Sequence, residues 1–377
     1  MGIKLLHTGD VHIGAGFLGL GVKGSQQRAQ LYDTFKKLVG LAVDQKVGLV
    51  LIAGDLFDSN LVSRTAVAQV ASQLQDLTVA GIPVCVSPGT HDPYGRDSVY
   101  SQPPLSEIDG LTVFTSEQLL PARFPELECT IYGNANTRPF NNKHPLEGFR
   151  PDDTGGWRVG LTHANFEVPD LVEEDTYIVT RPQVADSALD YLALGHLHSY
   201  SDRSSGGVVA RYCGSPEMVR LQKGDFGNVV IVELSDSGVS AAPVAVGTRS
   251  FEQLTVQAES LDSTAGMFAL LASRADPDRV LRVSIEGVRG ISFPDVDSIV
   301  EELSGMFFDL AVTDRSVPAA GDLDPASYPE TSPTSVFLRV LEGRLAGVSD
   351  QDRDDVLEAM RLGASLLEAG GPPGGCE

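Results

Sequence analysis

The chain has few cysteines, a deficit of basic residues and no long apolar run, and each shortage argues against a class of protein. Its four cysteines, Cys85, Cys129, Cys213 and Cys376, are scattered over 377 residues without a CxxC pair. A zinc finger or a disulfide scaffold is therefore not expected, and a reducing cytoplasm is the expected setting. Cys85 sits in Ile82-Pro83-Val84-Cys85-Val86, where a thiol behaves as a small buried hydrophobe. No apolar stretch approaches the ~20 residues that span a bilayer, so no membrane partner is expected. The opening segment Ile3-Lys4-Leu5-Leu6-His7 reads as a strand, with no cleavable hydrophobic region before it.

Lys and Arg number 28 against 51 Asp and Glu, a formal net charge of −23. Residues 1–250 carry 28 acids and 19 bases, a net of −9, and residues 251–377 carry 23 and 9, a net of −14. A free-standing nucleic-acid binder usually shows a basic balance or stripe, because phosphate neutralisation supplies much of its affinity. The acidity reads chiefly as solubility, and the last third is not expected to be a phosphate-binding surface by itself. There is no GxxxxGK[ST] loop and no GxGxxG after a strand, which leaves nucleoside-triphosphate and dinucleotide chemistry without support.

What is present is an alternation of apolar strands and amphipathic helices, long enough for a large core and more than one structural unit. Strands are expected at Ile3–Thr8, Gly48–Ala53, Pro83–Ser87, Cys129–Tyr132, Arg158–Thr162, Tyr191–Leu194, Gly207–Tyr212 and Asn228–Leu234. Leu31, Phe35, Leu38, Val39 and Ala42 recur at helical spacing within Gln26–Gln45. A second helix starts at a Ser63 cap and runs through Ala80, stopping at Gly81 with Pro83 beyond. After Ser250 come strands at Phe251–Val256, Leu281–Ile285 and Leu310–Val312, with helices near Thr264–Ser273 and Val296–Met306. Residues 316–334 are rich in Pro, Ser, Asp and Gly and read as a linker. Two amphipathic helices, Ser335–Ala346 and Asp350–Ala369, precede a Gly/Pro tail expected to fray.

Histidine is also scarce, and its placement is the strongest signal. Five of the seven histidines belong to short segments that follow apolar runs, and a sixth lies in the strand before the first of them. The segments are Gly9-Asp10-Val11-His12, Gly54-Asp55-Leu56-Phe57-Asp58, Gly89-Thr90-His91-Asp92, Thr162-His163-Ala164-Asn165 and Gly195-His196-Leu197-His198, with His7 in the strand that delivers Asp10. His144 stands apart and reads as a surface-loop residue. In open α/β sheets the carboxyl ends of strands converge on one crevice, so residues far apart in sequence meet there. A carboxylate–imidazole set without thiolates suits Mn, Fe or Zn. Two such ions ~3.5–4 Å apart can bind both the attacking and the leaving oxygens of a phosphoryl displacement. His7 reads as a structural core histidine, Asp58 as a helix cap or loop acid, and Arg28, Lys36 and Lys37 as an exposed helix face.

The order D-x-H, G-D-x-x-D, G-x-H-D, x-H, G-H-x-H resembles the calcineurin-like metallophosphoesterases. Thr8-Gly9-Asp10-Val11-His12-Ile13-Gly14, Gly54-Asp55-Leu56-Phe57-Asp58 and Leu194-Gly195-His196-Leu197-His198 resemble the SbcD/Mre11 branch of DNA repair nucleases. Tyr212-Cys213-Gly214-Ser215-Pro216 is similar to that branch's Y-x-G-S-P segment. The resemblance implies an α/β fold, a layered metallophosphoesterase β-sandwich flanked by helices, over residues 1–249. A small α+β capping domain over 250–315, the linker and C-terminal helices over 335–377 would follow.

By the same resemblance, Asp10, His12 and His198 hold one ion, and Asp55 bridges. His163 and His196 hold the second ion with Thr90. His91 becomes the general acid or transition-state stabiliser, with Asp92 orienting its imidazole. Two positions depart from the pattern: the family usually has Asn where Thr90 stands, and Mre11-type enzymes often have His where Asp58 stands. The implied activity is manganese-dependent cleavage of DNA, with Fe or Zn as alternative ions. The implied partners are an SbcC- or Rad50-like coiled-coil ATPase, docked on the C-terminal helices, and a second copy in a homodimer. A phosphoesterase for small substrates and a non-catalytic scaffold of the same fold are the competing readings.

Overall fold

A computed structural model describes residues 2–139, 144–152, 155–167, 177–221, 223–261, 263–289, 293–318, 323–345 and 347–368. The chain divides into two compact units, Met1–Arg249 and Ser250–Glu377.

In the first unit the strands are, in chain order, β1 Ile3–Thr8, β2 Leu49–Ile52, β3 Val84–Val86, β4 Leu111–Val113, β5 Leu120–Phe124, β6 Cys129–Gly133 and β7 Trp157–His163. They continue with β8 Asn165–Phe166, β9 Ile178–Val179, β10 Tyr191–Gly195, β11 Ser201–Asp202, β12 Val209–Tyr212, β13 Asn228–Ser235 and β14 Gly238–Ala245. The helices are α1 Gly24–Asp44, α2 Arg64–Val79 and the short α3 Arg181–Asp186. Two six-stranded sheets form, ordered β14-β13-β1-β2-β3-β4 and β11-β12-β10-β7-β6-β5. Leu5, Leu49, Leu51, Ala53 and Cys85 of the first sheet share one buried cluster with Ile131, Val159, Leu161, Tyr191 and Ala193 of the second.

Successive residues of a strand point to opposite faces, so Leu6, Val50, Ile52, Val84 and Val86 pack the other way. They meet Leu31, Phe35 and Leu38 of α1 and Val70, Leu74 and Leu77 of α2. A sheet covered on both faces demands near-continuous apolar strands, which explains why β2 reads Leu-Val-Leu-Ile with every residue buried. The Ser63 side chain accepts from the Ala66 backbone N–H at 3.1 Å and caps α2 as expected. Outside the second sheet, Tyr132, Leu192, Leu194 and Tyr212 pack with Val179 and Val184. The architecture is the layered α/β sandwich.

In the second unit, β15 Ser250–Gln257, β16 Asp276–Glu286 and β18 Phe307–Asp314 form an all-parallel sheet, with β17 Val288–Arg289 between the last two in sequence. Parallel neighbours need crossover connections, supplied here by α4 Thr264–Ala272 and α5 Val296–Leu303. Their apolar faces, Met267, Leu271, Ile299 and Leu303, bury with Leu281, Val283 and Ile285 of the sheet. The stretch expected as a linker holds structure: β19 Val317–Pro318 pairs with β17, and Pro325–Ser327 forms a 3-10 turn. That turn is pinned where the Ser335 hydroxyl donates to the Pro325 carbonyl at 3.0 Å.

Two helices follow, α6 Pro333–Leu345 and α7 Asp350–Glu368, and Leu338, Leu341, Met360 and Ala364 bury together between them. Phe337, Val356 and Leu357 pack on that cluster, whereas Val336 and Val340 are exposed. The expected helix ends at Ala346 and Ala369, and the Gly/Pro tail, lie outside the described residues. No described helix is long and apolar enough to cross a membrane.

Candidate metal centre

The donor residues leave the two sheets at neighbouring strand ends. β1 and β2 run parallel, and beyond them the Asp10 N–H donates to the Gly54 carbonyl and the His12 N–H to that of Asp55, both at 2.9 Å. In the second sheet β7 and β10 pair Gly195 with His163. The motif glycines allow the close approach. A Cβ at Gly54 (φ +83°) would overlap the His163 ring, and one at Gly89 would overlap the Asp55 carboxylate. Asp10, His12, Asp55 and His196 themselves sit at φ of 50°, 52°, 48° and 105°. Such values are uncommon outside glycine and persist where the surrounding structure enforces them.

The donors form two overlapping groups at the centre, and a third, His12, Asp58 and His91, lies at its rim. On one side, donor atoms of Asp10, His12 and His198 all lie within 4.8 Å of one another. His12 Nε2 is 3.1 Å from His198 Nε2, which is 3.7 Å from Asp10 Oδ1. On the other side, Asp10, Asp55 and His163 meet the same 4.8 Å limit. His163 Nε2 stands 3.3 Å from Asp55 Oδ2, 3.2 Å from His196 Nδ1 and 3.4 Å from Thr90 Oγ1. The Thr90 hydroxyl also lies 3.4 Å from Asp55 Oδ2. His163 Nδ1 donates to the Ala53 carbonyl at 2.9 Å, which turns the Nε2 lone pair toward the cluster. Imidazole nitrogens facing one another beside two buried carboxylates are a donor set that fits divalent cations.

The electrostatics point the same way. Burial pushes the Asp10 carboxyl up to about 6, with the Asp55 charge adding to it. Asp55 is as buried, yet the charge and hydrogen bond of His163, then His12 and His91, hold it well below the usual carboxylate range. Burial is opposed at His163 by Asp55 and Asp10, whose charges raise it to about 9. At His12 burial is likewise outweighed, by the Asp58 hydrogen bond and then Asp55 and Asp10, and its basicity rises. His196 and His198 fall to about 3, first through burial and then through His163 and His12 respectively, with Arg220 contributing at both. Buried acids crowded with imidazoles, of which His196 and His198 are held neutral, gather negative charge and nitrogen lone pairs at one point, as a cation requires.

His91 is the half-exposed member. Its backbone N–H donates to Asp55 Oδ1 at 2.7 Å, its Nδ1 meets the Asp58 carbonyl at 3.1 Å, and its ring stands edge-on to His12 at 4.6 Å. The expected role for Asp92 is corrected here. Its buried carboxylate accepts from the Gly89 N–H at 2.7 Å, the Phe57 N–H at 3.0 Å and the Tyr100 hydroxyl at 2.5 Å, so it shapes the loop and does not orient the His91 imidazole. Asp58, expected as a cap or loop acid, is the group beside that imidazole. Its Oδ1 also lies 3.0 Å from His12 Nδ1, bracing that ring from behind. The second acid of G-D-x-x-D is the sequence signal for that role. His7 Nδ1 pairs with the Tyr191 hydroxyl at 2.9 Å and takes the structural place expected for it. Arg28 and Lys37 donate to the Gly16 and Val246 carbonyls, both at 2.8 Å, and tie loops to α1.

Comparison with known proteins agrees with this geometry. The family described as calcineurin-like phosphoesterase matches residues 3–200, a span that contains every donor named above. A DNA double-strand break repair protein Mre11 of Sulfurisphaera tokodaii is 30% identical over 227 residues, 58% of this chain and 55% of that protein. The protein of the same name from Sulfolobus acidocaldarius is 24% identical over 299 residues, 76% of this chain and 75% of the relative. An uncharacterized metallophosphoesterase, YhaO of Bacillus subtilis, is 22% identical over 246 residues, covering 63% and 59% of the two chains. The matched region thus spans little more than half of the first relative.

Proposed function

The chain belongs to the calcineurin-like phosphoesterase family, and we propose that it is a two-metal phosphodiesterase that cleaves DNA. The observation that carries the proposal is the pair of donor groups at the ends of two facing sheets, which share Asp10 and are joined again by Asp55 Oδ2, 3.3 Å from His163 Nε2 and 3.7 Å from His12 Nε2. Asp10, His12 and His198 would hold one ion, Asp55 would be shared, and His163, His196 and Thr90 would hold the second. Manganese is the proposed ion, with iron and zinc the alternatives. When bound, the ions would supply Lewis acidity toward phosphate oxygens and lower the pKa of water.

The protein's own groups do the rest. His91 stands at the rim of the cluster with Nδ1 on the Asp58 carbonyl. As an imidazolium it keeps that bond and offers Nε2–H to the leaving oxygen, a role that contributes about 10²–10⁴-fold. Asp92 acts through the loop, fixing where the His91 backbone sits relative to Asp55.

DNA as substrate is supported by the SbcD-like wording and by relatives named as Mre11. The net charge of −23 fits a nuclease subunit whose DNA grip is shared with a coiled-coil ATPase of the SbcC or Rad50 kind, docked on α6 and α7. A homodimer and a cytoplasmic setting belong to the same reading. Deletion of residues 335–377 with partner binding retained would remove the docking assignment. The second reading, a phosphoesterase for small substrates, draws on that same acidity.

One experiment separates these readings. Manganese-dependent cleavage of linear and hairpin DNA is measured beside an aryl phosphodiester, for the wild type and His91→Ala. DNA cleavage that is lost in the variant supports the proposal. Aryl-ester cleavage alone supports the small-substrate reading, and bound metal without cleavage supports a scaffold.

A further inference from the structure

The loop between β12 and β13 places positive charge beside the metal centre. His198, Ser199, Ser215, Arg220 and Lys223 line one small pocket there. Backbone bonds hold its walls together: Ser215 N–H to His198 carbonyl at 3.1 Å, Tyr200 N–H to Asp225 carbonyl at 2.7 Å, and Gly227 N–H to Ser215 carbonyl at 2.8 Å. Ser215 is 1% exposed, and its hydroxyl has no hydrogen-bond partner among the described residues. Buried polar groups are nearly always satisfied, so an orphaned hydroxyl in the wall of so small a pocket marks a place for a water.

The two cations lie beside the donor cluster in an acidic chain. Acids outnumber bases 51 to 28, and Arg123, Arg158, Arg211, Arg274 and Arg282 all sit within 4.0 Å of a carboxylate. Arg220 and Lys223 form no such pair among the described residues, and both are exposed. The nearby Asp225 carboxylate accepts from the Asn228 side-chain amide at 3.0 Å. Arg220 lines the same pocket as His198, which places its charge beside the donor cluster.

We propose that Arg220 and Lys223 form an anion subsite that holds a second phosphate of a polynucleotide beside the metal centre. The inference rests on the nucleic-acid reading above. A guanidinium and an ammonium bind phosphate oxygens by charge-assisted hydrogen bonds, the guanidinium in a two-pronged geometry. A small phosphodiester has only one phosphate, and the metals claim it. Only a polymer has a neighbouring phosphate for this subsite, so the subsite selects polymers.

The test is the double variant Arg220→Ala/Lys223→Ala in the manganese-loaded full chain. For a single-stranded oligonucleotide, KM should rise about tenfold or more, and the slope of log KM against log salt should fall by about 0.7, the contribution of one neutralised phosphate on a single strand. The ratio of kcat/KM for the oligonucleotide to that for an aryl phosphodiester should fall by a similar factor, and Arg220→Lys should restore part of it. An equal loss on both substrates, or no loss on either, overturns the proposal.

Binding is read separately by fluorescence anisotropy of a labelled oligonucleotide on His91→Ala, with and without the double change. If the wild type does not cleave DNA but the double change still weakens binding about tenfold, the nuclease reading fails and the subsite stands. Equal affinities in that comparison overturn the subsite.

Discussion

On the Asp10 side of the centre, His12 is braced by Asp58 at 3.0 Å and His198 stands beside Asp10 at 3.7 Å. On the Asp55 side, His163 and His196 share their space with the Thr90 hydroxyl. Each side has one braced imidazole, His12 by Asp58 and His163 by the Ala53 carbonyl, but the second side adds the short neutral oxygen of Thr90 where the first adds none. A protonated hydroxyl contributes no charge to a cation, and outer bracing of a ligand typically changes metal affinity 10–100-fold. One fold thus builds two unequal halves of a single centre, and the inequality can be broken or sharpened by substitution.

The largest effect should come from the acid that serves both halves. Asp55→Asn removes a shared charge and the acceptor of the His91 N–H, and it should lower phosphodiester turnover about 10³-fold or more, several kcal/mol of charge stabilisation being lost. Steady-state kinetics with metal analysis checks this; retention of two ions and of turnover contradicts it. His91→Ala should lower kcat about 10²–10⁴-fold while both halves still bind ions, since His91 is assigned to proton transfer and not to coordination. Loss of an ion in that variant would move His91 into the ligand set.

Smaller changes discriminate between the halves. Asp58→Asn should weaken the first ion about 10–100-fold by loosening His12, with the second ion less affected; calorimetric titration with manganese reads the two separately. Thr90→Asn should tighten the second ion by about tenfold, or about 1.4 kcal/mol, by replacing a hydroxyl with a longer carbonyl donor. A titration without gain would show that Thr90 is no handicap.

The halves also differ in how far they are legible in the sequence. Asp10, His12, Asp55, His163, His196 and His198 each follow an apolar run, and strand periodicity alone places such residues at sheet ends. Asp58 is ambiguous in sequence because an acid near Ser59 and Asn60 reads equally as a cap, whereas α2 takes Ser63 instead. The partners of Asp92 are set by tertiary folding: Phe57 lies 35 residues away, and Tyr100 returns through a 3-10 turn eight residues on. Arg220 and Lys223 are diluted in an acidic chain, and only the loop's return to His198 gives them meaning.

The same holds for the fold. β14 carries little local signal because it is built from Ala241-Ala242-Pro243 at a sheet edge with mostly exposed or half-buried residues. β19 is hidden because Pro and Ser dominate its surroundings, and its two residues pair only with the equally short β17. Strongly apolar, doubly covered strands such as β1 and β2 are legible; short and edge strands depend on partners that local composition does not reveal.

The most direct measurement is a manganese titration of the full chain, following free ion by electron paramagnetic resonance. Two ions per chain should bind, the first at least about tenfold tighter than the second, a gap of about 1.4 kcal/mol. A single ion, or two ions of equal affinity, would contradict the account.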